Sequence, residues 1–284
     1  MVQTLKQIKN RIRSITSTRK VTSAMEMIAV NKLNRMSGTL SNLRPFALKL
    51  ESLFYRLIQG REDIKNPFLA RREPVKNTLL CVFTSDNGLC SVYNNNVIRA
   101  AEEFIRKTRR EKVKLVVIGK KGFSYFKNRG FSILYSYIGL NGRYSLKISD
   151  EITTKLCDIF LSGEADEVYL AYTYFYNAAV LKPTVVKFLE IKPQEEQKID
   201  YIFEPDIKGI LEKLIPEYIS TKMRLVILEA FTSEHASRAV AMKKATDNAE
   251  ELLGKLVLLR NKVRQANITR EILEIISSAE ALKG

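Results

Sequence analysis

Long stretches of helical periodicity at both ends of the chain constrain its fold more than any other feature. Residues 1–44 contain no proline and a single glycine, Gly38. Apolar residues in the first 57 positions recur at alternating spacings of three and four, as in a coiled-coil heptad. The first repeat consists of Leu5, Ile8, Ile12 and Ile15, and after a polar stretch at 16–20 the pattern resumes out of phase at Val21, Met25 and Ile28. The longest repeat follows: Leu33, Met36, Leu40, Leu43, Ala47, Leu50, Phe54 and Leu57. The pattern predicts one long N-terminal helix with a kink near Pro45.

The C-terminal part carries a second repeat. Pro205 and Asp206 predict a helix start, and Pro216 is expected to break or bend the first part of that helix. Beyond it, apolar positions again alternate at four and three: Ala245, Ala249, Leu252, Leu256, Leu259, Val263 and Ala266. An uncovered apolar stripe would be costly, since each buried Leu or Ile is worth about 1.5–3 kcal/mol. We therefore predict that the two terminal helices pair as an antiparallel coiled coil, with separate partner helices as the alternative.

The middle of the chain alternates strand-like and helix-like segments. Predicted strands are Thr78–Phe83, Val113–Ile118, Phe131–Ile138, Glu167–Phe175 and Pro183–Ile191, and predicted helices are Asn94–Arg109, Lys121–Asn128 and Ser149–Leu161. This alternation predicts an α/β fold: a central Rossmann-like domain with an antiparallel edge strand at its end. The expected domains are 1–60 (coiled-coil helix), 61–75 (linker), 76–205 (α/β domain) and 206–284 (coiled-coil helix pairing with 1–60).

Charge is concentrated in the N-terminal segment. The chain has a net charge of +16, and residues 1–60 hold 11 Lys/Arg against 2 Asp/Glu. Such a segment favours an acidic partner, whether nucleic acid, anionic lipid or a protein surface, although a solvated basic face is the simpler alternative. No run of 18 apolar residues predicts a membrane span, and no apolar signal core opens the chain. The odd count of three cysteines, without a C-x-x-C pair, fits a reducing compartment.

Catalytic and cofactor motifs are sparse. The sequence contains no phosphate-binding P-loop and no G-x-G-x-x-G after a strand. Its single histidine, His235, excludes paired-histidine metal sites and is expected to pack or cap within the long helix. The turn Gly119-Lys120-Lys121-Gly122 could suit an anion, but a solvated strand-to-helix turn is favoured. We predict no catalytic residue, no cofactor and no metal.

Segments of the chain resemble, in the same order, three signatures of one family. The stretch Thr18–Ala29, with Lys32-Leu33 after it, is similar to the N-terminal signature of the gamma subunit of bacterial F-type ATP synthases. Ser85–Cys90 resembles that family's central-domain loop. Its C-terminal signature is resembled by four stretches: Ser233–Arg238, Ala241-Met242, Ala245–Ala249 and Asn261–Ile272.

The resemblance implies a central-stalk rotor, not an enzyme in its own right. Such a subunit transmits torque between an ion-driven membrane c-ring and a catalytic hexamer of alpha and beta subunits, with nucleotide chemistry in the beta subunits. The implied partners are the alpha, beta and epsilon subunits and the c-ring, without nucleic acid and with one copy per complex. The implied location is peripheral, on the cytoplasmic face of the bacterial inner membrane, with the mitochondrial matrix face as the alternative.

The resemblance also implies contact residues. Arg264, Gln265 and Thr269 match residues that bond to a loop of one beta subunit, as a catch engaged in one orientation, with a solvated polar face of the helix as the alternative. Lys20 and Met25 would lie near a beta lever. Seam packing is an equal alternative for Met25.

The central loop would contact the epsilon subunit or the ring at the foot of the stalk through five consecutive residues: Asp86, Asn87, Gly88, Leu89 and Cys90. The family usually has a basic residue at Asn87 and glycines at Ser91 and Val92, so these contacts can differ here.

Two other functions stay open on the residues alone. The basic N-terminal segment allows a coiled-coil nucleic-acid-binding protein, although its aromatic residues do not interleave with the basic ones. The α/β domain allows an enzyme, for which turnover by the isolated chain would be the evidence.

Overall fold

The computed structural model describes residues 4–58, 66–70, 72–108, 113–191 and 207–281. In chain order the elements are α1 (Leu5–Ile58), β1 (Thr78–Phe83), α2 (Tyr93–Thr108), β2 (Val113–Ile118), α3 (Lys120–Lys127), β3 (Ile133–Tyr137), α4 (Leu146–Leu161), β4 (Glu167–Phe175), β5 (Leu181–Leu189) and α5 (Ile207–Ala281). The predicted order of helices and strands is confirmed. Much of the predicted linker, and the predicted helix start at Pro205 and Asp206, lie outside the described residues.

The chain divides into two compact units. The first comprises Met1–Ile28 with Ala239–Gly284, and the second comprises Ala29–Arg238. Both α1 and α5 contribute to each unit. The predicted domain boundaries at 60, 75 and 205 stay a prediction.

In the first unit the two helices run antiparallel. Thr246 Oγ1 donates to Thr22 Oγ1 at 2.9 Å, and Arg19 Nη1 lies 3.3 Å from Glu250 Oε1. The residue numbers of contacting pairs therefore rise along one helix as they fall along the other. Ile8 is fully buried. The predicted antiparallel coiled coil is confirmed in this unit.

The buried stripe of this pair differs in phase from the predicted one. Ala249 and Leu256 are buried as expected, and Met242, seven residues before Ala249, is buried at the same heptad position, but Leu252 and Leu259 are 46% and 38% exposed. On α1, Val21 and Ile28 are each 57% exposed, so their predicted seam positions are wrong. Apolar residues occupy several heptad positions here, and a single neighbouring helix covers only about two or three of every seven.

In the second unit, α1 and α5 again pair antiparallel. Arg44 contacts Glu229 at 2.7 Å, and the hydroxyls of Tyr55 and Tyr218 lie 3.2 Å apart. Helix α5 continues through Pro216, so the predicted break is wrong; a bend there and the kink at Pro45 stay predictions. Buried side chains around Pro216 hold this helix in place, offsetting the backbone hydrogen bond that proline cannot make: Ile215, Tyr218 and Ile219.

The sheet has five strands in the order β3-β2-β1-β4-β5. Strands β1 to β4 pair in parallel, and β5 pairs with β4 antiparallel, which confirms the α/β fold and its antiparallel edge. Strand β1 is buried along its whole length because it lies at the centre.

Helices cover both faces of the sheet. One face packs against α4 and against the second-unit parts of α1 and α5, through residues that include Phe83, Ile152, Phe54 and Ile219. The other face packs against α2 and α3. No described helix is long and apolar enough to cross a membrane.

The seam correction can be tested with two leucines on α5. Replacing Leu256 by Ala should lower the free energy of unfolding by about 2 kcal/mol, because a nearly buried side chain leaves a cavity. Replacing Leu252 by Ala should cost less than about 1 kcal/mol, because that side chain is half exposed. Urea unfolding of the chain, followed by circular dichroism, gives both values. Equal losses of unfolding free energy would show that Leu252 is as well packed as Leu256, as the heptad pattern predicted.

Candidate functional site

The loop after β1 is held by its own acidic residue. Asp86 Oδ1 accepts from the backbone N–H of Lys120 and of Gly139, each at 3.0 Å, and Oδ2 accepts from Asn141 N at 2.7 Å. The carboxylate therefore joins the β1, β2 and β3 ends of the sheet.

The turn at Gly119–Gly122 needs its glycines because neighbouring atoms leave no room for a Cβ atom. A Cβ on Gly119, whose φ is +94°, would lie 2.1 Å from the carbonyl oxygen of Thr84. The anion at the start of α3 is Asp86 itself. Lys120 and Lys121 of the turn are exposed, as expected for a solvated turn, and its backbone N–H at Lys120 is already bonded to Asp86.

The remainder of the loop is tied to the first turn of α2. Ser85 Oγ donates to the carbonyl of Asn87 at 2.6 Å, and Asn94 Nδ2 donates to Ser85 Oγ at 2.8 Å. Cys90 is buried beside them at 2% exposure, and burial raises the pKa of its thiol. Cys90 therefore supports the loop from within and is a poor nucleophile.

Helix α5 is hydrogen-bonded to the loop after β1 through its Ser233–Arg238 segment. Arg238 donates to the carbonyls of Asn87 at 3.2 Å and Gly88 at 3.4 Å, and Ser237 Oγ donates to Cys90 O at 2.7 Å. Buried Glu234 pairs with Arg238 at 2.8 Å. The segment that carries the family signature is therefore the dock between helix and loop, a role that the sequence analysis did not assign.

His235 completes this dock. It is 1% exposed, its Nε2 lies 2.9 Å from the carbonyl of Gly142, and its Nδ1 faces Arg238 Nη1 at 3.3 Å. These partners fit a neutral ring that donates through Nε2 and accepts at Nδ1. Burial, together with the charges of Lys32 and Arg238, lowers its pKa to about 4. The predicted packing role is confirmed.

Only part of the predicted foot segment reaches the surface. Asn87 is exposed, and Leu89 is 60% exposed, whereas Asp86 and Gly88 are half-buried and Cys90 is buried. Leu89 and Ser91 have φ values of +61° and +51°. A non-glycine residue is strained in this conformation, so glycine at either position would relieve strain in the loop.

The position of this loop along the helices is also defined. Lys32 Nζ donates to the carbonyl of Asn141 at 3.3 Å, and Asn87 of the loop donates to the side chain of Asn141 at 2.9 Å, so the loop lies near Lys32 of α1 as well as beside Arg238 of α5. The helix ends at Ile58 and Ile207 are about 26 and 31 residues away, roughly 40 Å of helix. The loop is therefore far from those ends.

The predicted beta-subunit contacts form two zones of the first unit. Arg264, Gln265 and Thr269 are exposed on α5. Lys20 is exposed and Met25 is half-buried on α1, close to Thr22 and hence to the level of Thr246. Arg264 lies 18 residues beyond Thr246, about 27 Å along the helix, so the structure does not bring the two sets together.

The last part of α5 carries an apolar surface that its heptad pattern did not predict. Five residues between 258 and 275 are 47–72% exposed: Leu258, Ile268, Ile272, Leu273 and Ile275. Most of them lie outside the heptad positions that were taken as the seam, which is the signal that could have found them. Exposed apolar surface of this extent indicates a partner.

The pH dependence of stability tests the His235 assignment. The unfolded chain binds a proton on His235 below pH 6.5, but the folded chain binds it only near pH 4. Stability is therefore lost as the pH falls between these values, by about 2–3 kcal/mol at pH 4.5 relative to pH 7.5.

Replacing His235 by Gln should remove that loss, because an amide keeps the donor to Gly142 and does not titrate. The measurement is the difference in unfolding free energy between the two proteins at both pH values. Glu234, Lys32 and Arg238 are present in both proteins, so their contributions to the unfolding free energy cancel in this difference. A difference that does not change with pH would contradict the assignment.

Solved structures share this fold. A central-stalk chain of the Tetrahymena thermophila mitochondrial ATP synthase aligns with a TM-score of 0.62 at 22% identity, covering 79% of this chain and 99% of that chain. A chain of the Euglena gracilis mitochondrial ATP synthase aligns with a TM-score of 0.57 at 18% identity, covering 92% and 95%.

Sequence relatives are closer. The family model described as ATP synthase matches residues 4–282. ATP synthase gamma chains of Chlorobium phaeobacteroides and Symbiobacterium thermophilum are 40% and 38% identical, covering 99% and 100% of both chains. The alternative of a nucleic-acid-binding protein finds no support in these comparisons. The chain belongs to the gamma-chain family of ATP synthases.

Proposed function

We propose that this chain is the rotor of the central stalk in an F-type ATP synthase, carrying torque between the membrane c-ring and the catalytic hexamer of alpha and beta subunits. The observation that carries the proposal is the first unit: an antiparallel helix pair whose longer helix continues with exposed apolar side chains. A coiled coil is stiff enough to act as an axle. The apolar surface fits an enclosing sleeve of alpha and beta subunits.

The chain takes no part in the chemistry of ATP. Its one histidine is buried and hydrogen-bonded on both ring nitrogens, and Asp86 is used by three backbone N–H groups. The subunit acts mechanically, as a peripheral member of the complex on the cytoplasmic face of a bacterial membrane, in one copy per hexamer.

Charge supports the contact with the beta subunits. Exposed cations line the first part of α1: Lys6, Lys9, Arg11, Arg13 and Lys20. They suit an acidic lever on each beta subunit. Exposed charges attract over a distance of about 10 Å without locking a single geometry, which a turning surface requires. Met25, half-buried at the same zone, contributes packing.

A second contact is directional. Arg264, Gln265 and Thr269 present donors and acceptors on the exposed part of α5. They engage a loop of one beta subunit in one orientation of the rotor.

The loop after β1 contacts the epsilon subunit. Its exposed side chains are Asn87 and Leu89, and Asp86, Gly88 and Cys90 hold them in place. The c-ring is the alternative partner of this loop.

Assembly tests the proposed function as a whole. The chain mixed with alpha and beta subunits of its own complex should co-purify as one copy per hexamer of three alpha and three beta subunits, and native mass spectrometry gives that ratio. Retention on DNA, with no hexamer bound, would instead favour the nucleic-acid alternative.

The catch is tested in the assembled complex. Replacing Arg264 and Gln265 by Ala should lower ATP hydrolysis by about tenfold or more, because each lost hydrogen bond costs about 0.5–1.5 kcal/mol. The matched control is Lys262 replaced by Ala, an exposed cation on the same helix. Unchanged turnover with normal assembly, or an equal loss in the control, would remove the catch.

A further inference from the structure

A series of polar contacts joins α1 to α5 inside the second unit. We call it the polar ladder, and its members are Arg44, Glu51 and Tyr55 on α1 and Tyr218, Lys222 and Glu229 on α5. The first rung is Arg44 Nη2 to Glu229 Oε1 at 2.7 Å. In the next rungs Glu51 Oε1 accepts from Tyr218 at 3.0 Å and from Lys222 at 3.3 Å, and the hydroxyls of Tyr55 and Tyr218 lie 3.2 Å apart.

The first rung also reaches the sheet. Arg44 Nη2 donates to the carbonyl of Phe175, the last residue of β4, at 2.6 Å. The guanidinium carbon lies 5.2 Å from the ring centre of Tyr174 on the same strand. One side chain of α1 is therefore bonded to α5 and to the α/β sheet at once.

Stability does not explain the choice of an ion pair at this position. The Glu229 side chain is 1% exposed, and burial raises the pKa of its carboxyl although Arg44 opposes the shift. Arg44 Nε has no hydrogen-bond partner among the described residues, so the pair is not a two-bond fork. Well-packed apolar residues in place of such a pair often stabilise a protein as well or better.

The ion pair restricts the relative orientation of the elements that it joins. Apolar contacts depend on buried area and allow surfaces to slide, whereas hydrogen bonds restrict both distance and angle. The helix pair and the sheet meet mainly through apolar side chains such as Phe54 and Ile219. Bonds from Arg44 to Glu229 and Phe175 resist rotation of the sheet about the helices.

We propose that Arg44 and Glu229 are positioning residues that couple rotation of the α/β domain to both helices of the rotor. This inference rests on the proposed function. Torque that enters at the α/β domain must reach α1 and α5 together, and the Arg44–Glu229–Phe175 junction makes that connection.

The lower rungs provide a second fixed point. Glu51 and Tyr55 follow Arg44 by 7 and 11 residues, about 10 and 16 Å along α1. Tyr218 is held by its hydrogen bonds and by stacking on Phe54, with ring centres 4.4 Å apart and planes 7° apart. Two points along the helices resist twisting better than one.

The test uses the assembled complex, with the hexamer fixed to a surface and a bead on the α/β domain. Thermal angular variance of the bead is inversely proportional to torsional stiffness. In the double variant Arg44→Met with Glu229→Met, the variance should rise by about twofold while the melting temperature stays close to that of the wild type, because apolar residues replace both charges. ATP synthesis under an imposed ion gradient should fall by a similar factor.

The control is the double variant Arg19→Met with Glu250→Met. That pair also joins α1 to α5, but it is exposed and has no bond to the sheet, so its removal should leave the variance unchanged. Unchanged variance in the Arg44 and Glu229 double variant, or an equal rise in the control, would overturn the proposal.

A second variant keeps the proposal testable if the double variant does not fold. Glu51→Gln removes the charge of a half-exposed side chain in the lower rungs and should also raise the variance. If both this variant and a folded Arg44 and Glu229 double variant leave it unchanged, the ladder does not couple rotation. Failure of the wild-type chain to join the hexamer or rotate would instead reject the proposed function.

Discussion

The antiparallel contact between α1 and α5 is the constraint on which both compact units depend. In the first unit it buries a single stripe of each helix and leaves the other apolar side chains for partners. In the second unit the same two helices also cover one face of the sheet, so the contact becomes part of the main core. A helix of 75 residues is stable in water only where such contacts, or those of a partner, cover its apolar face.

Polar groups give this apolar framework its geometry. Asp86 ties three strand ends together, Arg238 and Ser237 hold the loop after β1, and Arg44 joins both helices to β4. In each case a buried or half-buried side chain bonds to backbone carbonyl or N–H groups. Such bonds define relative orientation more narrowly than hydrophobic burial does. A rotor needs that definition because it must carry torque without slipping.

The sequence predicted the fold class, the order of strands and helices and the antiparallel edge, because periodicity and turn residues are local signals. It predicted the packing role of His235 because one histidine offers few chemical alternatives. It failed at Leu252, Leu259, Val21 and Ile28, where several heptad phases were equally apolar. At Pro216 the sequence allowed either a break or a bend, and packing around Ile215 and Tyr218 keeps the helix unbroken.

By itself, then, the sequence determined that two long helices flank an α/β sheet and that the gamma-subunit signatures occur in order. Only the tertiary structure decided which side of each helix is buried, that Ser233–Arg238 serves as a dock, and that Arg44 meets Glu229 and Phe175. Residues 185 positions apart come together only when the chain folds, and no local pattern records which of many possible charge pairs will form.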